Sequence, residues 1–317
     1  MQNGTANHLV PTGTPGQYTV EVTGLGETTV SVSIAHGVAA DDAGNPTLAT
    51  TAPFTYPFDG IKPTPVITGD NTLTNARRSF EIDFGEPVLE FEAADLTVLQ
   101  GTKHNFQDLG NGRFSVDIDG IPGEHPVYLL IFPNVARDLA DNLCNGTSET
   151  FEYPFDDLKP SVQILGSKTL TNTTRTLTVQ FTEDVSGFEL TDIAVAGGVP
   201  GNLIPGAPAP TDVYTVDISG ATGDHMVSVS IPEAVAVDAA TNPNNATSEP
   251  FAYRFDNVRP TPAISGPSTI TRATRQLTIN FGETVDDFEV DDISVENGAA
   301  GNLQGGTNGL YLSLIHI

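Results

Sequence analysis

Arg78-Ser79-Phe80-Glu81-Ile82-Asp83-Phe84 alternates apolar and polar residues, with Phe80, Ile82 and Phe84 on one side of the chain and Ser79, Glu81 and Asp83 on the other. Successive side chains of a β-strand point to opposite faces, so a period of two marks a half-buried antiparallel strand. The pattern returns in Phe114-Ser115-Val116-Asp117-Ile118, Leu177-Thr178-Val179-Gln180-Phe181 and Leu277-Thr278-Ile279-Asn280-Phe281. Within residues 61–157 it places strands near 64–68, 78–84, 96–100, 113–119, 127–132 and 150–154, separated by Gly and Asn turns. Six or seven such strands in about a hundred residues predict an all-β fold, a sandwich of immunoglobulin type. The core Trp and paired cysteines of antibody domains are missing, because the chain has no Trp and Cys144 is its only cysteine.

The strands belong to a repeat. Tyr56-Pro57-Phe58-Asp59 recurs as Tyr153-Pro154-Phe155-Asp156 and Tyr253-Arg254-Phe255-Asp256, spaced by roughly a hundred residues. Solenoid and propeller repeats run about 20 to 50 residues, so this longer period marks whole domains. The predicted organisation is a partial immunoglobulin-like domain over 1–60, complete domains over 61–157 and 158–257, and a truncated one over 258–317. The boundaries fall at Lys62-Pro63, Lys159-Pro160 and Arg259-Pro260. Proline fixes φ and removes a donor, which makes for short, stiff linkers and predicts a rod of tandem domains. Met1 falls in mid-repeat, and Leu312-Ser313-Leu314-Ile315-His316-Ile317 departs from the repeat where a strand like Thr215-Val216-Asp217-Ile218 is due. That hexapeptide resembles the translation of a sequencing-library adapter, so the chain reads as a fragment with a non-native 312–317.

Charge limits the partners. Forty Asp and Glu against 13 Lys and Arg leave a net charge of −27, which disfavours nucleic acid and anionic membrane surfaces and favours cations. With one cysteine no intrachain disulfide can form, and about a hundred residues bury enough apolar surface to do without one. No run of 18 apolar residues suggests a membrane span, and no basic-then-apolar start suggests a signal peptide.

Four acidic or amide positions recur in register with the apolar ones. They are an Asp in the linker (Asp59, Asp156, Asp256), a Glu after the second strand (Glu86, Glu183, Glu283), an Asp before the third (Asp95, Asp192, Asp292), and a D-x-A-x-N loop. The loop supplies Asp41 with Asn45, Asp138 with Asn142, and Asp238 with Asn242. In an immunoglobulin-like sandwich the B–C and F–G loops share the pole at which the chain enters. Oxygen ligands from three separated segments should therefore converge where domains join. Calcium takes six to eight oxygens in irregular geometry and suits such loops better than magnesium or zinc, and no Cys or His cluster offers softer ligands. The alternative is turn chemistry alone, with Asp and Asn making Asx-turns and Asp95 capping a short turn.

Phe84-x-Glu86-x-Val88, Phe181-x-Glu183-x-Val185 with Gly187-Phe188-x-x-x-Asp192-Ile193, and Phe281-x-Glu283-x-Val285 with Phe288-x-x-x-Asp292-Ile293 resemble the bacterial Ig-like repeats of large surface adhesins and biofilm-associated proteins. The resemblance runs through residues 1–311. It implies an extracellular or cell-surface stalk of repeats contacting one another in the chain, with calcium between them and an adhesion ligand it does not identify. Two departures stand out: Gly44 becomes Asp141 and Thr241, and Glu90 stands where the third repeat has Gly187. Asp141 could add a ligand. Histidines are scattered, and no nucleophile elbow, phosphate loop or zinc-hydrolase motif appears, so the reading is non-catalytic. The leading expectation is an adhesin stalk stiffened by calcium. The alternative is a set of spacer modules in a secreted enzyme such as a polysaccharide hydrolase.

Overall fold

The computed structural model describes residues 2–208, 210–269 and 271–316. It divides into two compact units, one of residues 1–160 with 236–244, the other of 161–235 with 245–317. Regular structure is almost entirely β, and no helix among the described residues is long and apolar enough to cross a membrane.

In the first unit, β1 (Gly4–Pro11) pairs with β2 (Tyr18–Gly24) and β3 (Glu27–Val32) with β4 (Phe54–Asp59). Seven strands follow: β5 (Val66–Thr68), β6 (Arg78–Asp83), β7 (Leu96–Leu99), β8 (Gly101–Gly110), β9 (Arg113–Gly120), β10 (Glu124–Ile131) and β11 (Phe151–Asp156). They form a four-stranded sheet ordered β5-β6-β9-β8 and a three-stranded sheet ordered β11-β10-β7. This is the ABED and CFG arrangement of a constant-type immunoglobulin sandwich. The alternation seen in the sequence is the sandwich interior: Phe80, Ile82, Val116 and Ile118 from one sheet and Leu96, Val127, Leu129 and Tyr153 from the other are all buried in one cluster. Each such side chain contributes roughly 1.5–3 kcal/mol on burial, and no disulfide joins the two sheets, since Cys144 is the chain's only cysteine.

The second unit holds β12 (Val162–Leu165), β13 (Arg175–Val185), β14 (Ala194–Ala196), β15 (Gly198–Pro205), β16 (Thr211–Gly220), β17 (Asp224–Ser230) and β18 (Phe251–Asp256). Their sheets, β12-β13-β16-β15 and β14-β17-β18, repeat the same topology. A last sheet, β19-β20-β22-β21, comprises β19 (Ala263–Ser265), β20 (Arg275–Asn280), β21 (Ala299–Thr307) and β22 (Leu310–His316).

β8 escapes the alternation rule because it is bulged. Its register shifts between His104 and Gln107, where Asn105 takes a left-handed φ of 48°. The bulge recurs at His8, Asn202 and Asn302. A polar side chain on the paired strand braces it: Asn105 Nδ2 donates to Asp117 Oδ2 at 2.7 Å, Asn202 Nδ2 to Asp217 Oδ2 at 2.9 Å, and His8 Nδ1 lies 2.6 Å from Glu21 Oε2. Leu314 occupies that brace position beside Asn302, opposite Gln276 as Asp117 is opposite Ser79. Ser313, in turn, is buried where Val116 and Val216 fill the core of their modules. Residues 312–316 of the hexapeptide thus continue β22 in register while breaking the repeat's side-chain pattern at two adjacent places, and Ile317 lies outside the described residues.

Candidate functional site

Each linker Asp ends the last strand of its module and bends the chain. Asp59 Oδ1 accepts from Ile61 N, Asp156 Oδ1 from Leu158 N and Asp256 Oδ1 from Val258 N, each at 2.9 Å. These Asx-turns explain why Asp recurs there. Directly across the ladder from each stands another acid: Glu27 opposite Asp59, Glu124 opposite Asp156, and Asp224 opposite Asp256. Like charges in facing positions are destabilising unless something neutralises them.

The D-x-A-x-N loop is a closed hydrogen-bonded turn. Asp138 Oδ1 accepts from Ala140 N at 2.7 Å and Asn142 N at 2.9 Å. The fourth residue is left-handed in all three copies, with φ of 82° at Gly44, 65° at Asp141 and 70° at Thr241. The glycine of the first copy therefore suits the backbone, while Asp141 and Thr241 hold a conformation costing roughly 1–2 kcal/mol. Asp138 is buried, which pushes its carboxyl up, but the side-chain and backbone hydrogen bonds of Asn142 and the Ala140 amide outweigh burial and hold it below its ordinary value.

Glu86 follows β6 on the B–C loop. Phe84, two residues before it, packs edge to face with Phe91 and Phe114, with centroids 4.9 to 6.0 Å apart. Phe181, Phe188 and Tyr214 repeat the triad, as do Phe281, Phe288 and Tyr311. The Asn111-Gly112 hairpin turn lies against the Glu86 carbonyl so closely that any Cβ at Gly112 would collide with it. The Glu86 carboxylate meets those of Asp59 and Asp138, one oxygen of each within 4.8 Å of the others. Burial, then the charges of Asp59, Asp138 and Glu27, raise the Glu86 carboxyl above its ordinary value. The trio is thus an oxygen-only donor set short of positive charge, the chemistry of a hard-cation site.

Other predicted residues have different surroundings. Asp95 Oδ2 accepts from Glu92 N at 2.8 Å, Asp192 Oδ2 from Glu189 N at 2.7 Å and Asp292 Oδ2 from Glu289 N at 2.8 Å, so all three cap a short turn and lie outside the trio. Asp141 Oδ1 takes Arg137 Nη1 at 3.1 Å. In the first loop, Asn45 Nδ2 donates to Asp41 Oδ2 at 2.9 Å. Asp156, Asp238 and Asn242 come together in the first unit, with Asn242 Nδ2 donating to Asp238 Oδ2 and to the Asp156 carbonyl, both at 2.9 Å. Glu183 lies on β13 of the second unit. Asp256 and Glu283 line one open pocket of that unit with Asp224 and Arg259. There Arg254 pairs with Asp224 and holds its carboxyl below the ordinary value. Glu27, Glu124 and Asp224 went unread as site residues, although Gly26-Glu27, Gly123-Glu124 and Gly223-Asp224 recur in the sequence.

The fold and its repeats define a protein of tandem immunoglobulin-like sandwich modules, and residues 156–255 match the family model of the bacterial Ig-like domain. No curated protein sequence matches the chain. Similar solved structures include the Escherichia coli adhesin FdeC, 12% identical over 80% of this chain and 87% of that one, with a TM-score of 0.36. Invasin, a bacterial integrin-binding protein, is 14% identical over 98% of this chain and 65% of its own, with a TM-score of 0.36. Yersinia pseudotuberculosis InvD is 10% identical over 71% and 70%, with a TM-score of 0.31.

Proposed function

We propose that this chain is a segment of the stalk of a bacterial surface or secreted adhesin, a non-catalytic string of Ig-like modules stiffened by calcium. The observation that carries the reading is the meeting of Asp59, Glu86 and Asp138 from a linker, a B–C loop and an F–G loop, with oxygens within 4.8 Å of one another. Calcium there would take one or more oxygens from each carboxylate, with backbone carbonyls and water completing a shell of about six to eight. It would answer the charge of Glu27 as well as of the trio, and would tie a linker to the two loops that follow it. A linker so held resists bending, and a stiff array projects whatever lies at its far end away from the cell.

The test is thermal unfolding of the whole chain in excess EDTA and in millimolar calcium. A calcium-dependent rise that Glu86→Gln removes supports the reading. Superimposed curves would overturn it and leave the recurring acids as turn residues.

A further inference from the structure

The asparagine that closes each D-x-A-x-N loop does different work from the carboxylates around it. Asn142 Nδ2 spends its two protons on Asp138 Oδ2 at 2.8 Å and on the backbone carbonyl of Asp59 at 3.1 Å. Asn242 repeats this on Asp238 Oδ2 and the Asp156 carbonyl, both at 2.9 Å, and its Oδ1 accepts from Asn75 Nδ2 at 2.9 Å. Asn75 is brought there by its neighbour. Thr74 N donates to the Pro154 carbonyl at 3.2 Å and Thr74 O accepts from Asp156 N at 3.0 Å, which seats the A–B turn against the strand leading into the linker. Asn242 is buried, its two amide protons and its carbonyl oxygen all in hydrogen bonds.

We infer that Asn142 and Asn242 are latches that fasten a linker carbonyl to the F–G loop without any cation. An amide is the side chain for this task. It donates twice from one nitrogen, so a single group can bridge a carboxylate and a peptide carbonyl, which an aspartate at the same place could not. The latch also orients Asp138 and Asp238, because each keeps one carboxylate oxygen turned to the asparagine. The inference stands on hydrogen-bond geometry and does not rest on calcium. It gives the linker two independent restraints: one present at all times, the other dependent on charge neutralisation.

Hydrogen exchange by mass spectrometry on the whole chain separates them. The readouts are peptides spanning 57–64 and 154–160, with the β9 core peptide as a check on folding. In EDTA, Asn142→Ala should speed exchange in 57–64 by about tenfold, the scale of one or two lost hydrogen bonds, with β9 unchanged. Asn242→Ala should do at least as much in 154–160, and Asn75→Ala less, since only one of the three bonds is lost. Asn142→Gln, which keeps the amide but misplaces it, should rescue partly. Linker exchange unaltered by Asn142→Ala and Asn242→Ala in EDTA would overturn the latch, whatever calcium does. Parent exchange that calcium fails to slow would sink the calcium reading and leave the latch standing.

Discussion

Glu27 and Asp59 face each other across the β3–β4 ladder, two carboxylates in directly opposed positions with Glu86 and Asp138 close by. A fold that places four acids together at one end of a sheet keeps a standing repulsion there. Glu27→Gln should therefore raise the melting temperature in EDTA and shrink the further gain from calcium, since like charges in facing positions cost a few tenths to about 1 kcal/mol. Paired melting curves of parent and variant, with and without calcium, give both numbers.

The raised Glu86 carboxyl sets a pH dependence. In the metal-free protein the folded state holds the Glu86 proton more tightly than the unfolded chain does. This group's stabilising effect is therefore full below the ordinary carboxyl value of about 4.5 and is lost as pH rises through the higher folded value. Melting temperatures of protein stripped on a chelating resin should fall for the parent relative to Glu86→Gln between about pH 4.5 and pH 7. Parallel profiles would show that Glu86 titrates alike folded and unfolded.

Not every recurring acid should matter to calcium. Asp141 is committed to Arg137, and Asp95 caps the turn at Glu92. Asp141→Ala and Asp95→Ala should each leave the calcium-induced rise intact. Asp95→Ala should lower stability by about 1 kcal/mol with or without metal, as a lost cap does. Asp138→Asn should abolish the rise. Calorimetric scans of the three variants in calcium and in EDTA distinguish these outcomes.

The immunoglobulin-like sandwich was legible in the strict alternation of runs such as Phe80 to Phe84, because a half-buried sheet leaves no other way to hide three apolar residues in five. β8 was not legible. Its left-handed Asn105 shifts the register and destroys the period of two on which strand reading depends. The trio of Asp59, Glu86 and Asp138 followed from topology once the sandwich was in hand, since linker, B–C loop and F–G loop share a pole. Asp95 recurs as faithfully, but for turn capping, and recurrence alone does not tell a ligand from a cap. Glu27 was hidden for the opposite reason. It reads as an ordinary hairpin acid until strand pairing sets it opposite Asp59.

Phe84, which packs in the aromatic triad, is two residues from Glu86 in the chain and so links packing to the site. Phe91→Ala removes a buried ring that contacts Phe84 and Phe114, and should cost about 3–5 kcal/mol. Because Phe84 runs straight into Glu86, loosening its packing should also make the variant bind calcium more weakly. Urea unfolding followed by circular dichroism, in calcium and in EDTA, should show a larger penalty in calcium.

At the other end of the chain, Ser313 and Leu314 interrupt a pattern that Val116 with Asp117 and Val216 with Asp217 keep. Restoring it with Ser313→Val and Leu314→Asp should fill the core position and brace Asn302. The expected gain is about 1–2 kcal/mol, visible as slower amide exchange in β20 and β22.

Isothermal titration of calcium into the metal-free chain, for the parent and for Glu86→Gln, tests the central claim most directly. The account predicts saturable binding by the parent and the loss of one site, or a drop of at least about tenfold in its affinity, in the variant. Isotherms that coincide, or a parent that takes up no calcium, would contradict it.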